Sequence, residues 1–127
     1  MLISGSDPVA AVLGSALDGL ALRQRVAADN VANIDTPGFI ASKVDFETSL
    51  RTAIADGSLV EDAATGGPED IPAPTVTPTA ATPGANGNNV DLAAEQMTAM
   101  RASFQYQLLS RAVGDRYALI TTAIGGM

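Results

Sequence analysis

The sequence predicts a mainly α protein: two long terminal helices joined by a short helix and an extended, proline-rich middle. Three observations predict it. Apolar residues recur at helical spacing in residues 8–34 and again in 92–124, with no proline inside either pattern. Five of the seven prolines fall between residues 58 and 88. Acidic charge follows the same division, since residues 35–91 hold a net charge of −7 while the two ends are nearly neutral. Four segments result, at 1–34, 35–57, 58–88 and 89–127.

The first helix starts well at Asp7-Pro8, because an aspartate accepts from the free N–H groups of a first turn and proline at the first helical position loses no bond. Leu13, Leu17, Leu20, Gln24, Ala27, Val31 and Ile34 then alternate spacings of four and three, a heptad seam interrupted only by Gln24. Asp18, Arg23, Arg25 and Asp29 fall off that seam.

The pattern ends in "ADNVANIDTPGF", Ala28 to Phe39. Asp35-Thr36-Pro37-Gly38 reads as a type II turn, with Pro37 preceding Gly38 and Gly38 supplying the positive φ that such a turn requires. Asn33 then ends the helix and Phe39 packs back on it. Asn30 has no such explanation, because asparagine is a poor choice inside a helix.

Next, "SKVDFETSLRTAIADG" reads as an extended piece followed by a short helix, with Asp45 as cap and Gly57 as stop. Residues 58–88, rich in Ala, Pro and Thr, hold four acids and no base and lack periodicity. They offer too little apolar area to offset their ordering entropy, which predicts a loose loop or an extended surface arm.

Asn86-Gly87 signals a turn, and Asn89 or Asp91 can cap the last helix. That helix carries two apolar stripes: Met97, Met100, Phe104, Leu108, and Tyr106, Leu109, Val113, Tyr117, Ile120, Ile124. One partner needs one stripe, so two stripes predict burial against more than one neighbour. The core of a lone chain is thin as well, since the 46% apolar content includes 23 alanines, no Trp, three Phe and two Tyr. The expectation is an assembly subunit whose terminal helices are covered by other chains.

Most chemistry is excluded. The chain has neither cysteine nor histidine, which removes disulfides, thiolate ligands, the commonest general base and the commonest metal ligand. A net charge of −7 argues against nucleic acid and anionic membranes as partners. Asn30, Asn33 and Asp35 are too few and too weakly charged for calcium, and one glycine after Pro37 makes no phosphate cradle. The pairs Glu61-Asp62 and Glu69-Asp70 lie in the proline-rich stretch without a rigid frame. No enzyme, cofactor, metal or small-molecule substrate is expected. With Arg23 as the first basic residue and no apolar run near the ~20 residues that span a bilayer, the chain reads as cytosolic or as exported without a cleaved signal.

"LRQRVAADNVANIDTPGF" resembles the N-terminal signature of the flagellar rod and hook axial proteins, in which a helix bearing asparagines runs into a TPG(F/Y) turn. "NIDTPGFIASKVDFETSL" and "NGNNVDLAAEQMTAMRASFQYQLL" are similar to the proximal members of the flagellar basal-body rod family. The resemblance covers about residues 13–55 and 86–125, in the family's order. Asp29 stands where the family often has a further asparagine.

That resemblance implies a structural subunit of the periplasmic rod, exported unfolded by the flagellar type III apparatus, with the terminal helices paired as an antiparallel coiled coil. The implied partners are other copies, other rod subunits, the rod-to-ring adaptor and the inner-membrane ring protein. It also implies hydrogen bonds within or between subunits for Asn30 and Asn33. The family's motif falls here on Asn30, Asn33, Thr36, Pro37, Gly38 and Phe39, and on Asn89, Val90, Asp91, Gln105 and Tyr106. With Leu13, Leu17, Leu20, Ala27, Val31, Ile34, Met97, Met100, Phe104, Leu109, Val113, Tyr117, Ile120 and Ile124, the first six residues and Tyr106 form the expected subunit interface. The alternative is a soluble helical-hairpin adaptor or export chaperone of a secretion system.

Overall fold

A computed structural model of the chain describes residues 8–56 and 71–126. Its elements are helix α1 (Pro8–Ala32), strand β1 (Ser42–Asp45), helix α2 (Glu47–Ala55), strand β2 (Thr75–Pro78) and helix α3 (Leu92–Gly125). The fold is mainly helical, with two long terminal helices of 25 and 34 residues. Asp7, Gly57 and residues 58–70, on which a cap, a stop and part of the middle segment were expected, lie outside the described residues.

α1 packs against α3, β1 and α2. The buried cluster is Ala16, Leu20, Val44, Phe46, Leu50 and Ala102, with Val12, Leu22, Val26, Ile71 and Leu109 packed around it. On α1 the buried positions are Ala16, Leu20, Ala27 and Asn30, with Gly19 buried beside Leu20 and Arg23 partly buried between them. This is a four-three repeat like the expected seam, and it shares Leu20 and Ala27 with it, but it is rotated. Leu13, Leu17, Gln24 and Val31 flank the packed face, half-exposed. The physical reason is close approach: Ala16 and Gly19 let neighbouring elements come nearer than a leucine would.

Residues 71–88, the described part of the middle segment, are more ordered than their composition suggests. Thr75–Pro78 pairs antiparallel with β1 in the register Ser42 to Pro78, Val44 to Val76 and Asp45 to Thr75. The Thr79 N–H donates to the Ala41 carbonyl at 2.8 Å, extending the ladder by one pair. Hydrogen-bonded pairs alternate along an antiparallel ladder, so Val76 and Pro78 turn their backbone groups outward. Pro78 has no N–H to offer there, which blunts the outer edge.

At the end of α1, the Phe39 N–H closes on the Thr36 carbonyl at 3.2 Å and Gly38 has φ +74°. The turn therefore comprises Thr36 to Phe39, with Pro37 second and Gly38 third, one residue later than a frame starting at Asp35. Gly87, at φ +79°, sits against it, and the Gly38 N–H donates to the Asn86 carbonyl at 2.9 Å. A Cβ on Gly87 would lie 3.2 Å from Gly38 Cα, so two glycines allow the two turns to touch backbone to backbone.

Candidate functional site

Four asparagines hold the end of α1, the strand β1 and the segment leading into α3 together. Asn30 is only 1% exposed. Its Nδ2 donates to the Ser42 carbonyl at 2.8 Å, and its Oδ1 accepts from the Ser42 N–H at 3.0 Å. Ser42 and Val44 expose their backbone groups on the side of β1 away from β2, so the Asn30 amide substitutes there for a neighbouring strand. This is why an asparagine stands inside a helix: its hydrogen bonds belong to β1 and not to α1.

Asn33 closes the helix. Its Nδ2 donates to the Asp29 carbonyl at 2.8 Å, and its Oδ1 accepts from the Thr36 hydroxyl at 3.2 Å. From the other chain segment, Asn88 Nδ2 donates to the carbonyls of Asn33 at 2.8 Å and Thr36 at 2.9 Å, while its Oδ1 accepts from the Val90 N–H at 2.8 Å. Asn89 Oδ1 accepts from the Ala41 N–H at 2.6 Å, and its Nδ2 reaches Thr79 Oγ1 and the Ala81 carbonyl at 3.0 and 3.1 Å. Only an amide carries a donor and an acceptor side by side without charge, which suits backbone groups that need both. Asp91, not Asn89, caps α3, its carboxylate accepting from the Ala94 N–H at 3.2 Å.

Arg23 holds the second joint. It makes a bidentate pair with Glu47, both N–H···O distances 2.7 Å, donates to the Val44 carbonyl at 2.8 Å, and lies 4.7 Å above the centre of the Phe46 ring. Arg23 was expected off the packed seam; its fork instead fixes β1 and α2 on α1. The hydrogen bond from Arg23 holds the Glu47 carboxyl below its ordinary range. Asp45 is held low chiefly by the backbone N–H and the hydroxyl of Thr48, with Arg23 adding attraction. The Asp45 carboxylate thus accepts from the first turn of α2, but the N-cap position expected for it is held by Phe46, whose side chain makes no cap bond.

The expected interface residues fall into three groups. Leu20, Ala27 and Asn30 are buried inside the chain. Leu13, Leu17, Val31, Asn33, Ile34, Phe39, Leu109, Val113 and Ile120 are half-buried. Thr36, Pro37, Gly38, Met97, Met100, Phe104, Tyr106, Tyr117 and Ile124 are exposed. Met100 is 70% and Phe104 62% exposed, whereas Ala102 between them is fully buried. At about 100° per residue, Met100 stands half a turn away from Leu109, which packs against the core, so this stripe runs along the back of α3. Among the described residues α3 buries only Ala102.

Sequence reasoning did not single out Asn88, Arg23 or Gly19. The doubled asparagine of "GNNVDL" was the available signal for Asn88; nothing in the heptad pattern marked the other two. No group of three or more acidic side chains suited to a metal occurs among the described residues, and no helix there is long and apolar enough to cross a membrane.

Residues 11–39, α1 with its turn, match the family described as flagella basal body rod protein. The FlgB rod protein of Borreliella burgdorferi is 36% identical over 106 residues, covering 74% of this chain and 78% of that protein. For FlgB of Escherichia coli K12 the identity is 35% over 104 residues, covering 73% and 75%. For FlgB of Salmonella typhimurium LT2 it is 32% over 116 residues, covering 80% and 81%. At this identity and coverage the chain belongs to the flagellar basal body rod protein family, among the proteins named FlgB.

Proposed function

We propose that the chain builds the proximal part of the flagellar rod by polymerising through its terminal helices, and that it links the inner-membrane ring to the rest of the rod. Membership of the family makes it a structural rod subunit and not an enzyme. The relatives described above are rod proteins by name, which leaves the hairpin-adaptor alternative without support.

The observation that carries the reading is the back of α3. Met97, Met100, Phe104 and Leu108 are each half or more exposed and form one stripe on a helix about 50 Å long. A contiguous apolar stripe of that kind on a soluble chain marks a contact with another chain. On this reading α1 and α3 pair as an antiparallel coiled coil, and neighbouring subunits, the ring protein and the rod-to-ring adaptor cover what one chain leaves open. The interface then comprises the exposed and half-buried residues above, with Leu20, Ala27 and Asn30 supporting it from within. Passage through the type III export apparatus without a cleaved signal, and a final place in the periplasm, belong to the same proposal.

The test is crosslinking in intact basal bodies, with one photoreactive residue at Leu17 and another at Phe104. Adducts to rod or ring neighbours are the expected result. Labelling confined to cytosolic partners would refute the reading.

A further inference from the structure

A cleft of about 510 Å³ opens between α1, β1 and the first half of α3. Ala27, Val44 and Ala102, all buried, form its apolar lining, and Lys43 and Arg101 stand exposed on its walls. Arg23, the third cation there, is committed to Glu47. The side chains of Lys43 and Arg101 have no hydrogen bond or ion pair among the described residues, so in a chain of net charge −7 two cations at one opening lack counterions; Glu95 in the same wall offsets only one charge.

The complementary feature lies at the end of α1. Between Arg25 and Lys43 the sequence has no cation and two carboxylates, Asp29 and Asp35, both exposed. Asp35, Thr36, Pro37 and Gly38 are all exposed, yet the turn is fixed by Asn33, by Asn88 and by the Gly38 to Asn86 bond. A projecting group that is already rigid loses little entropy on docking.

We infer that the Asp35–Gly38 turn of one copy docks in the Lys43–Arg101 cleft of the next, with Asp35 supplying the missing counterion and Pro37 meeting the apolar lining. The contact joins two different surfaces of the same molecule, so it repeats head to tail, and with a helical offset between successive copies it gives the open assembly a rod needs. It rests on the rod reading and gives it a specific joint.

The chain has no cysteine, which makes a clean test possible. One copy carrying Asp35→Cys and another carrying Arg101→Cys are produced together in motile cells, and their isolated basal bodies are treated with a short bis-maleimide. A dimer band that requires both substitutions is expected. In parallel, Asp35→Lys alone and Lys43→Glu with Arg101→Glu should each lower incorporation into basal bodies by at least about tenfold, and the three changes in one chain should recover most of it. If the chain is present in basal bodies but no 35–101 dimer forms, the turn-in-cleft contact is wrong while the rod reading stands. If the chain is absent from basal bodies, the rod reading fails and the contact fails with it.

Discussion

Asn30 shows how one buried polar residue substitutes for a strand. Replacing it with leucine keeps the number and branching of side-chain heavy atoms but strands the Ser42 N–H and carbonyl, and should cost about 2 to 4 kcal/mol in denaturant unfolding. Asn30→Asp is the sharper test. An ionised aspartate still accepts from the Ser42 N–H but faces the Ser42 carbonyl with an oxygen, whereas a protonated one can donate to it. Burial and that carbonyl raise the folded pKa above the unfolded value of about 3.9, so the folded state binds more protons and the variant's penalty grows as pH rises. The variant should therefore lie closest to the parent near pH 3 and fall further behind it by pH 7 in paired melts; a constant gap would refute the clamp. Of this joint, the turn was legible from Pro37 and Gly38 because their φ preferences are local. The partners of Asn30, Asn88 and Asn89 were not, because those bonds cross 12, 52 and 48 residues of chain and leave no periodic trace.

The elements were legible where periodicity is long and illegible where contact depends on small residues. α3 ends within a residue of the expected Ile124 because neither proline nor an internal cap interrupts it. The packed face of α1 was misregistered because a heptad reading weights leucines, while Ala16 and Gly19 set the closest approach. β2 was invisible because Thr75–Pro78 has one large apolar residue and buries none. The two helical glycines make the point measurable. A Cβ at Gly19 would lie 2.8 Å from Phe46 Cβ and closer still to its ring, whereas one at Gly114 meets nothing within 4 Å. Gly114→Ala should stabilise by up to about 1 kcal/mol through helix propensity. Gly19→Ala should instead destabilise by about 1 to 2 kcal/mol, because overpacking outweighs the same propensity gain. Thermal melts of the two variants should move in opposite directions. Acid probes α2 and its joint. Asp45 and Glu47 both titrate below their ordinary values of 3.8 and 4.5, so the stability they contribute is complete above those values and is lost as pH falls through the lowered ones. Glu47→Gln removes the charged partner of Arg23, so its stability deficit should shrink as the pH drops below the ordinary value of 4.5 and through the lowered one.

At the scale of the whole molecule, the division of labour is between a joint that satisfies its own polar groups and helices that do not cover their own apolar surface. No buried side-chain nitrogen or oxygen among the described residues lacks a partner, so nothing polar at the joint calls for a second chain. The back of α3 is the reverse case, and substitutions there separate folding from assembly. Met100→Glu and Phe104→Glu replace side chains that are 70% and 62% exposed, so the purified chain should keep its helical signal and unfold within about 0.5 kcal/mol of the parent. In the rod the same carboxylates would be desolvated against apolar neighbours, which costs several kcal/mol per charge unless the group is neutralised. The double variant should therefore fold normally, fail to enter basal bodies and leave cells non-motile. Neutral Met100→Leu with Phe104→Leu, which keeps the stripe apolar, should retain most incorporation. If the glutamate variant assembles like the parent, the stripe faces solvent in the rod, and the covering of α3 by neighbouring chains, on which polymerisation through the terminal helices depends, is wrong.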